Sequence, residues 1–225
     1  EIETLISWAM KNPETIEIGM RRSPAATVKH VIYPVAEKQK TELLFAVLKK
    51  VDFDSAIIFC RTKHGADRIG NQLKRENHAV AILHSDRTQR DREKSLKGFR
   101  DGKFEVLVAT DIASRGLDIT GVSHVVNYDV PGDPEDYTHR IGRTARAGMI
   151  GTAVTFLSSN DLGAFKTLVY HLGRDVSRIS LPGFDYVGTS QPTSSKSKSS
   201  RSAGGIGSKN ADELSAEELR DLLRH

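Results

Sequence analysis

The sequence predicts an α/β fold in which helices cover both faces of a parallel β-sheet. Apolar segments of strand length recur along the chain, at 28–35, 55–60, 79–83, 105–109, 123–128 and 150–157. Longer segments with helically spaced apolar residues separate them. The second, fourth and fifth segments are almost continuously apolar, which is typical of parallel strands buried on both faces. Strands that alternate with helices in this way are joined by right-handed crossovers.

Composition limits the classes of protein to which the chain can belong. Its 225 residues, 38% of them apolar, suffice for one large or two small domains. A net charge of +4 permits a polyanionic partner without requiring one. Cys60 is the only cysteine, which excludes an internal disulfide, and its place after an apolar run predicts a buried, unreactive thiol. The sequence has no signal-peptide pattern and no apolar run of about 20 residues, so we expect a cytoplasmic protein.

The chain divides by composition into five parts. Residues 1–19 are expected to be the end of a preceding domain, because their helix and strand cannot bury an apolar face alone. Residues 20–27 have the breakers of an interdomain linker, and 28–183 form the predicted α/β domain. Residues 184–209, rich in Ser, Gly and Lys, predict a flexible basic tail. Residues 210–225 carry five acidic residues and predict a short amphipathic helix.

Several helices have recognisable starts and apolar faces. The first has an apolar stripe made of Leu43, Leu44, Val47 and Leu48. Thr88 precedes a predicted helix over 90–100 and forms a capping arrangement with Asp91. Asp133 and Pro134 are an N-cap acid and a first-position proline, so a helix begins there. A last helix is predicted from about Asn160 to Leu172.

The segment His139–Gly148 places basic side chains at helical spacing. At about 100° per residue, His139, Arg143 and Arg146 fall within roughly 60° on one helix face, with Ile141 on the other side. Arginine binds phosphate bidentately through a planar group that stays charged. The segment therefore predicts a phosphate-binding helix face, and the alternative is a solvated basic face or a set of structural ion pairs.

Ligands of open α/β sheets bind at the carboxyl ends of the strands. After the fourth predicted strand, Thr110 and Ser114 offer hydroxyls, Gly116 permits close backbone approach, and Asp118 can accept from sugar hydroxyls. The alternative for this segment is that Asp111 caps a short helix that Gly116 ends.

Side chains after the second and third strands suit a sugar-phosphate backbone. Arg61 and Thr62 follow the second strand, and Gln89 and Arg92 lie shortly after the third. Basic and hydroxyl groups at one sheet edge are typical of nucleic-acid backbone contacts.

Together these segments resemble the motifs of DEAD-box ATP-dependent RNA helicases. Residues 108–119 and 139–146 resemble the fifth and sixth motifs of that family, and 57–59 resemble the fourth. Gln89 and Arg92 match its Gln-x-x-Arg element. The resemblance extends from about Val28 to Leu181 and implies a RecA-like domain of P-loop NTPase type, the C-terminal lobe of two.

The resemblance implies a role for each matched position. Arg143 and Arg146 would act as catalytic arginine fingers on the γ-phosphate of ATP, with Gly116 and Asp118 beside the nucleotide. RNA phosphates would lie against Gln89, Arg92 and Thr110, in addition to the Arg61 and Thr62 identified above. Interdomain coupling would involve Phe59, Arg115, His139 and Arg140.

The sequence lacks the phosphate loop Gly-x-x-x-x-Gly-Lys-Ser/Thr and the Asp-Glu-Ala-Asp sequence. We therefore expect this chain to hold only half of an active site and no metal ligands. We also expect it to be inactive as an ATPase on its own. ATP and Mg²⁺ would be held mainly by the N-terminal lobe. Ala145 and Ser85 stand where the family usually has glycine, and we expect both to be tolerated. The segment after His84 is most similar to a bacterial branch of the family that is associated with ribosome assembly and RNA turnover. This resemblance implies that RNA and ribosomal or RNA-turnover proteins are the partners. We expect the protein to act as a monomer.

Three other functions are consistent with parts of the sequence. An isolated RNA-binding module would use the basic tail from Lys196 to Lys209 for salt-sensitive affinity. A DNA helicase or translocase lobe would share the fold, but the Arg-Gly-Leu-Asp and His-Arg-Ile-Gly-Arg-Thr sequences argue against it. A protein that binds small nucleotides is the weakest alternative, because the chain has no glycine fingerprint.

Overall fold

Six parallel strands form one sheet in the computed structural model, which describes residues 28–114, 119–144, 151–172, 176 and 178–187. The strands are β1 Val28–Pro34, β2 Ala56–Phe59, β3 Val80–Leu83, β4 Val106–Ala109, β5 His124–Asn127 and β6 Gly151–Leu157. Their order across the sheet is β1-β6-β5-β2-β4-β3, and every neighbouring pair is parallel. The predicted parallel α/β sheet is confirmed.

Helices connect the strands and cover both faces of the sheet. They are α1 Lys40–Lys50, α2 Lys63–Arg75, α3 Gln89–Arg100, α4 Asp111–Ser114, α5 Pro134–Ile141 and α6 Leu162–Leu172. Short 3-10 turns, Glu37–Gln39 and Ser159–Asp161, precede α1 and α6. Among the described residues, no helix is long and apolar enough to cross a membrane.

Alternate strand residues pack against different helices. Ile58 packs in the cluster that holds the apolar faces of α1 and α2. Its neighbours Ile57 and Phe59 pack on the opposite face, with α3 and α4. On that second face, Ile32 and Ala153 meet the apolar residues of α5 and α6. Because both faces are covered, the central strands are buried along their whole length, which explains their nearly continuous apolar sequences.

The predicted helix starts are confirmed in detail. The Thr88 hydroxyl accepts a hydrogen bond from the Asp91 backbone N–H at the start of α3. The Asp133 carboxylate accepts from the Glu135 N–H, and Pro134 occupies the first position of α5. These bonds satisfy N–H groups that a helix cannot pair internally, so they fix where each helix leaves the sheet.

The arginine segment does not continue as a helix. Helix α5 ends at Ile141, and the next N–H groups make tighter bonds, Arg143 N to Arg140 O and Thr144 N to Ile141 O. Arg143 therefore does not share a helix with His139 as the sequence predicted, and Arg146 lies outside the described residues. The reason is tertiary: the Thr144 hydroxyl and the carbonyl of Arg143 both bond to the segment that leads into β5. Those bonds replace further turns of helix.

The ordered domain extends beyond the predicted boundary at residue 183. Ile179 donates its N–H to Ile32 O at the outer edge of β1, and Phe184 and Tyr186 pack against the core. The buried Gln39 amide donates to Asp185 O and accepts from the Val187 N–H, both at 2.8 Å. These contacts hold residues 184–187 against the domain, so this part of the predicted flexible tail is packed. The predictions for residues 1–27 and 188–225 lie outside the described residues.

Candidate functional site

A cleft of about 440 Å³ opens at the carboxyl edge of the sheet, between α4 and α5. Its lining residues are Phe59, Asp111, Ser114, Asp133, Glu135, Asp136, His139, Arg140 and Arg143. These come from the ends of β2, β4 and β5, which are neighbours in the sheet. The structure brings the two segments around Asp111 and Arg140 together at one edge of the sheet.

Arg140 is the centre of this edge, although the sequence favoured its neighbours. Only 3% of the residue is exposed. Its Nε and Nη2 donate to the two carboxylate oxygens of Asp111, at 2.6 and 2.7 Å. Its Nη1 donates to Asn127 Oδ1 at 3.0 Å and to Asp129 O at 2.8 Å. A bidentate pair with two further acceptors uses four of the five guanidinium N–H donors, so Arg140 is a structural cation within the domain.

Phe59 lies beneath the Arg140 guanidinium, whose carbon is 5.0 Å from the ring centroid. The ring is buried, so the cation and the aromatic face interact away from water, which strengthens the attraction. This contact ties the end of β2 to α5. The part in interdomain coupling that the family resemblance implies for Phe59 stays a prediction.

Arg143 lies just after α5, on the wall of the cleft. It is half-buried, and its Nη1 donates to Ile119 O over 3.4 Å. Thr144 fixes the backbone beside it, because its buried hydroxyl bonds to Val122 O and Ser123 O at 2.6 and 2.9 Å. Gly151 packs so closely on Thr144 that a Cβ added to Gly151 would lie 2.5 Å from the carbonyl oxygen of Thr144. Sequence reasoning missed Thr144, since a lone threonine after an arginine carries no distinguishing pattern.

His139 also lines the cleft, from the last turn of α5. Acidic residues from the first turns of the same helix, with its N-cap Asp133, form the opposite side. The cleft therefore has a basic side near Arg143 and an acidic side near Asp133. A polyphosphate would be attracted only to the basic side.

Arg61 and Thr62 follow β2 and are both exposed. The Thr62 hydroxyl caps α2 by accepting from the Gly65 N–H at 3.0 Å. The Arg61 Nη2 donates to Asp161 Oδ1 at 2.5 Å, while its backbone N–H donates to Asp129 Oδ2 at 2.9 Å. Both residues are thus held in place at the edge where the sequence expected a nucleic-acid backbone.

The other predicted RNA contacts lie towards β3. Gln89 is exposed at the start of α3, where its amide donates to Glu93 Oε1 at 2.9 Å. Arg92 is half-buried and donates to Ala113 O at 3.2 Å, which links α3 to α4. Thr110 is buried at the end of β4, so its side chain has little surface with which to contact a ligand in this conformation. Ser85, which follows His84 after β3, has no positive φ. Its backbone therefore does not need the glycine that the family usually has there.

A second buried cluster of charges, which we call the Lys40 cluster, lies at the same edge. The Lys40 ammonium, 1% exposed, is 2.9 Å from Asp161 Oδ2, 3.0 Å from Glu37 Oε2 and 3.3 Å from Asp129 Oδ1. Asp161 also accepts from the Ser158 hydroxyl at 2.6 Å. The cluster joins the ends of β1, β5 and β6. The Ser-x-x-Asp capping pattern of 158–161 was the available sequence signal, and sequence reasoning missed it.

The pKa values of the Lys40 cluster follow from its pairing. Burial lowers the pKa of Lys40, but hydrogen bonding to Asp161 and the charge of Asp129 outweigh it, so the pKa lies above 10.5. Burial raises the pKa of Asp161, yet the bonds from Ser158 and Lys40 bring it below its ordinary 3.8. Both groups therefore stay charged near neutral pH.

Cys60 lies between the two charged clusters and is fully buried. Burial, with a smaller contribution from Asp129, raises the pKa of its thiol to about 12. The expected buried thiol is confirmed, and its protonated state makes it a poor nucleophile.

Some predicted site residues lie outside the described residues: Arg115, Gly116, Asp118, Ala145 and Arg146. Within the part of the chain that is described, no group of three His, Cys, Asp or Glu side chains is placed to hold a metal ion.

Comparison with known proteins shows the family. The profile of the helicase conserved C-terminal domain matches residues 39–148. The ATP-dependent RNA helicase CshA of Listeria monocytogenes is 39% identical over 176 residues, which are 78% of this chain and 34% of that protein. The chain thus spans about a third of the length of this curated relative.

Solved structures agree with the sequence comparison. The C-terminal domain of the DEAD-box protein Dbp5 superposes with a TM-score of 0.65 at 34% identity, covering 68% of this chain and 91% of that domain. Saccharomyces cerevisiae Dbp5 bound to RNA and ADP BeF3 gives a TM-score of 0.71 at 31% identity, covering 80% of this chain and 48% of that one. The chain belongs to the DEAD-box RNA helicase family and forms its C-terminal RecA-like domain.

Proposed function

We propose that this domain binds the RNA backbone along its carboxyl edge and supplies arginines for ATP hydrolysis at a cleft shared with an N-terminal lobe. Closing that cleft would bend one strand and unwind or remodel a short RNA duplex. The observation that carries the proposal is the cleft in which Arg140 links Phe59 and Asp111 while Arg143 lines the wall. The names of the relatives support a role in ATP-driven RNA unwinding, since these relatives are ATP-dependent RNA helicases.

The basic side of the cleft fits the phosphates of a nucleotide. Arg143 and Arg146 would hold the γ-phosphate oxygens, and Gly116 and Asp118 would lie by the sugar. ATP and Mg²⁺, held mainly by the N-terminal lobe, supply the phosphoanhydride bond and its charge neutralisation when bound. The arginines would stabilise the charge that develops in the transition state, which is worth about three to five powers of ten in rate.

Arg140 would couple the nucleotide and RNA sides from within the domain. Its bonds are all internal, so it acts through Asp111, which follows the proposed RNA contact Thr110 directly in the chain. Arg140 also belongs to the helix that ends just before Arg143. A shift at Thr110 would therefore move the arginine segment through one bidentate ion pair. Phe59, His139 and Arg115 are the other proposed coupling residues.

RNA would lie against Arg61, Thr62, Gln89 and Arg92, whose side chains offer donors to phosphate oxygens. Such contacts position the backbone and carry no base specificity. The basic segment Lys196–Lys209 would add affinity that falls steeply with salt. We place this activity in the cytoplasm, in a monomer acting with ribosomal or RNA-turnover proteins.

The test is RNA-stimulated ATP hydrolysis by the chain alone and by the chain joined to a matching N-terminal lobe. We expect no hydrolysis alone and activity in the joined enzyme. In the joined enzyme, Arg146→Ala should lower kcat by about three powers of ten and leave RNA binding intact. The matched control is Arg75→Ala, which removes an exposed arginine at the far end of α2. Hydrolysis by the chain alone, or unchanged turnover after Arg146→Ala, would contradict the proposal.

A second candidate function is RNA binding without turnover. The absence of a phosphate loop from the sequence favours it for this chain by itself. Single-stranded RNA and DNA of the same sequence distinguish it from a DNA-directed lobe, because only RNA offers the 2′-hydroxyl.

A further inference from the structure

We propose that Asp161 is a positioning residue that holds the Arg61 guanidinium for an RNA phosphate, and that Lys40 keeps Asp161 charged and in place. This inference rests on the RNA binding proposed above and deepens it. It assigns a binding role to the Lys40 cluster, which otherwise has only a structural one.

Arg61 is held along one side of its guanidinium. Its side chain is 55% exposed, yet Nη2 donates to Asp161 Oδ1 at 2.5 Å and lies 3.5 Å from Val130 O. Asp129 fixes its backbone N–H. Within the described residues, Nη1 and Nε have no protein acceptor. A guanidinium held by one nitrogen can still offer its others to a second oxyanion, so Arg61 has a fixed orientation and donors that face outward.

Asp161 is fixed far more firmly than a surface carboxylate. Its side chain is 0% exposed, and its Oδ2 accepts from the Ser158 hydroxyl and from Lys40. One oxygen is therefore used inside the domain, while Oδ1 faces Arg61. Because β5 separates β6 from β2, the pair also reaches across a strand in the sheet. This arrangement sets the position of the Arg61 side chain from the end of β6, in addition to the bond that Asp129 makes to its backbone.

Preorganisation is the physical benefit of the pair. An exposed arginine loses side-chain entropy when it binds a phosphate, and a rotamer that is already fixed avoids much of that cost. A carboxylate next to a polyanion is otherwise unfavourable, since like charges repel. In this protein Lys40 offsets part of the negative charge of Asp161 and its neighbours, which lowers the electrostatic cost of a carboxylate beside a bound phosphate.

The direction in which Asp161→Asn changes the RNA affinity distinguishes positioning of Arg61 from a simple effect of net charge. Asp161→Asn makes the chain one unit more positive, so electrostatics alone predict tighter binding to RNA. Positioning predicts the opposite, because Arg61 loses its charged partner. The measurement is fluorescence anisotropy of a labelled single-stranded oligouridylate titrated with the full chain at low and moderate salt.

We expect Asp161→Asn to weaken RNA binding by about tenfold, the scale of one charge-assisted contact. Arg61→Met should weaken it similarly and reduce the salt dependence by about one phosphate contact. The double variant should bind no more weakly than Arg61→Met, since Asp161 acts only through Arg61. Arg75→Met is the matched control, with an equal charge loss at the opposite edge and little change in affinity.

Arg61→Lys tests the inference without disturbing the buried pair, in case Asp161→Asn fails to fold. Lysine keeps the charge but lacks the fork, so its affinity should fall close to that of Arg61→Met. Wild-type affinity in Arg61→Lys, tighter binding by Asp161→Asn, or additive losses in the double variant would overturn the inference. Absence of RNA binding by the unaltered chain would instead contradict the proposed function.

Discussion

The two buried charge clusters at the carboxyl edge differ in how their charges are balanced. Arg140 has one carboxylate partner, Asp111, and neutral acceptors from Asn127 and the Asp129 carbonyl. Lys40 has three carboxylates within 3.3 Å, and a second cation, Arg61, pairs with one of them from the rim, so the cluster keeps one net negative charge. The first cluster is complete within the domain, whereas the second needs an exposed arginine.

This difference suggests where ligands can act. Arg140 is buried and has four of its five N–H donors bonded within the domain, so it is suited to transmit movement rather than to bind a phosphate. Arg61 and Arg143 lie beside the buried clusters with part of their surface exposed or facing the cleft. Buried charges therefore set the geometry, and their neighbours at the rim meet the ligand. Three predictions test that separation.

The largest expected effect is the loss of Lys40. Lys40→Met would leave the buried Asp161 and the nearly buried Asp129 with only Arg61 as a cation. Breaking a buried ion pair in this way costs about 3–5 kcal/mol of unfolding free energy. Urea unfolding of the chain measures it, with Lys49→Met as the control, since Lys49 is exposed on the same helix. A loss no larger than in the control would show that the Lys40 cluster is not a stabilising unit.

Loss of Arg140 should cost less, about 2–3 kcal/mol, because its carboxylate partner can be rehydrated. The Asp111 side chain is 26% exposed, whereas that of Asp161 is not exposed at all. Arg140→Met and Arg143→Met, compared by urea unfolding and by ATP hydrolysis in the joined enzyme, sharpen the contrast. We expect Arg140→Met to affect stability more, and Arg143→Met to abolish turnover with little loss of stability. The reverse pattern would exchange their roles.

The fold could be predicted almost completely from the sequence, for identifiable physical reasons. The run Ala56–Phe59 is continuously apolar because both faces of the sheet are covered. The caps Thr88 and Asp133 carry local signals, since a helix start depends on a few adjacent residues. The end of α5 has no such signal. It is set by Thr144 bonding to residues about twenty positions earlier, and helical periodicity contains no information on that contact.

The location of the candidate site could be predicted from the sequence, but the pairing of its buried charges could not. Parallel strands bring their carboxyl ends together, so Asp111 and Arg140 had to meet near Phe59. Lys40 shows what sequence cannot supply. A lysine at the start of an amphipathic helix normally lies in solvent, and only the packing of α1 against the ends of β5 and β6 buries it.

The smallest expected effect is the pH dependence of the Lys40 cluster. The pKa of Asp161 is below 3.8 in the folded chain, so its stabilisation is present above that pH and is lost as pH falls through the folded-state pKa. The pKa of Lys40 is above 10.5, so its contribution is complete below that pH and is lost as pH rises through the folded-state pKa. Below pH 10.5, where Lys40 keeps its charge, the stability difference between wild type and Asp161→Asn, measured by urea unfolding, should therefore shrink only in acid. A difference that stays constant below pH 3.8 would mean that the Asp161 carboxylate gains nothing from its partners, and the contrast between the two clusters would then rest on Lys40 alone.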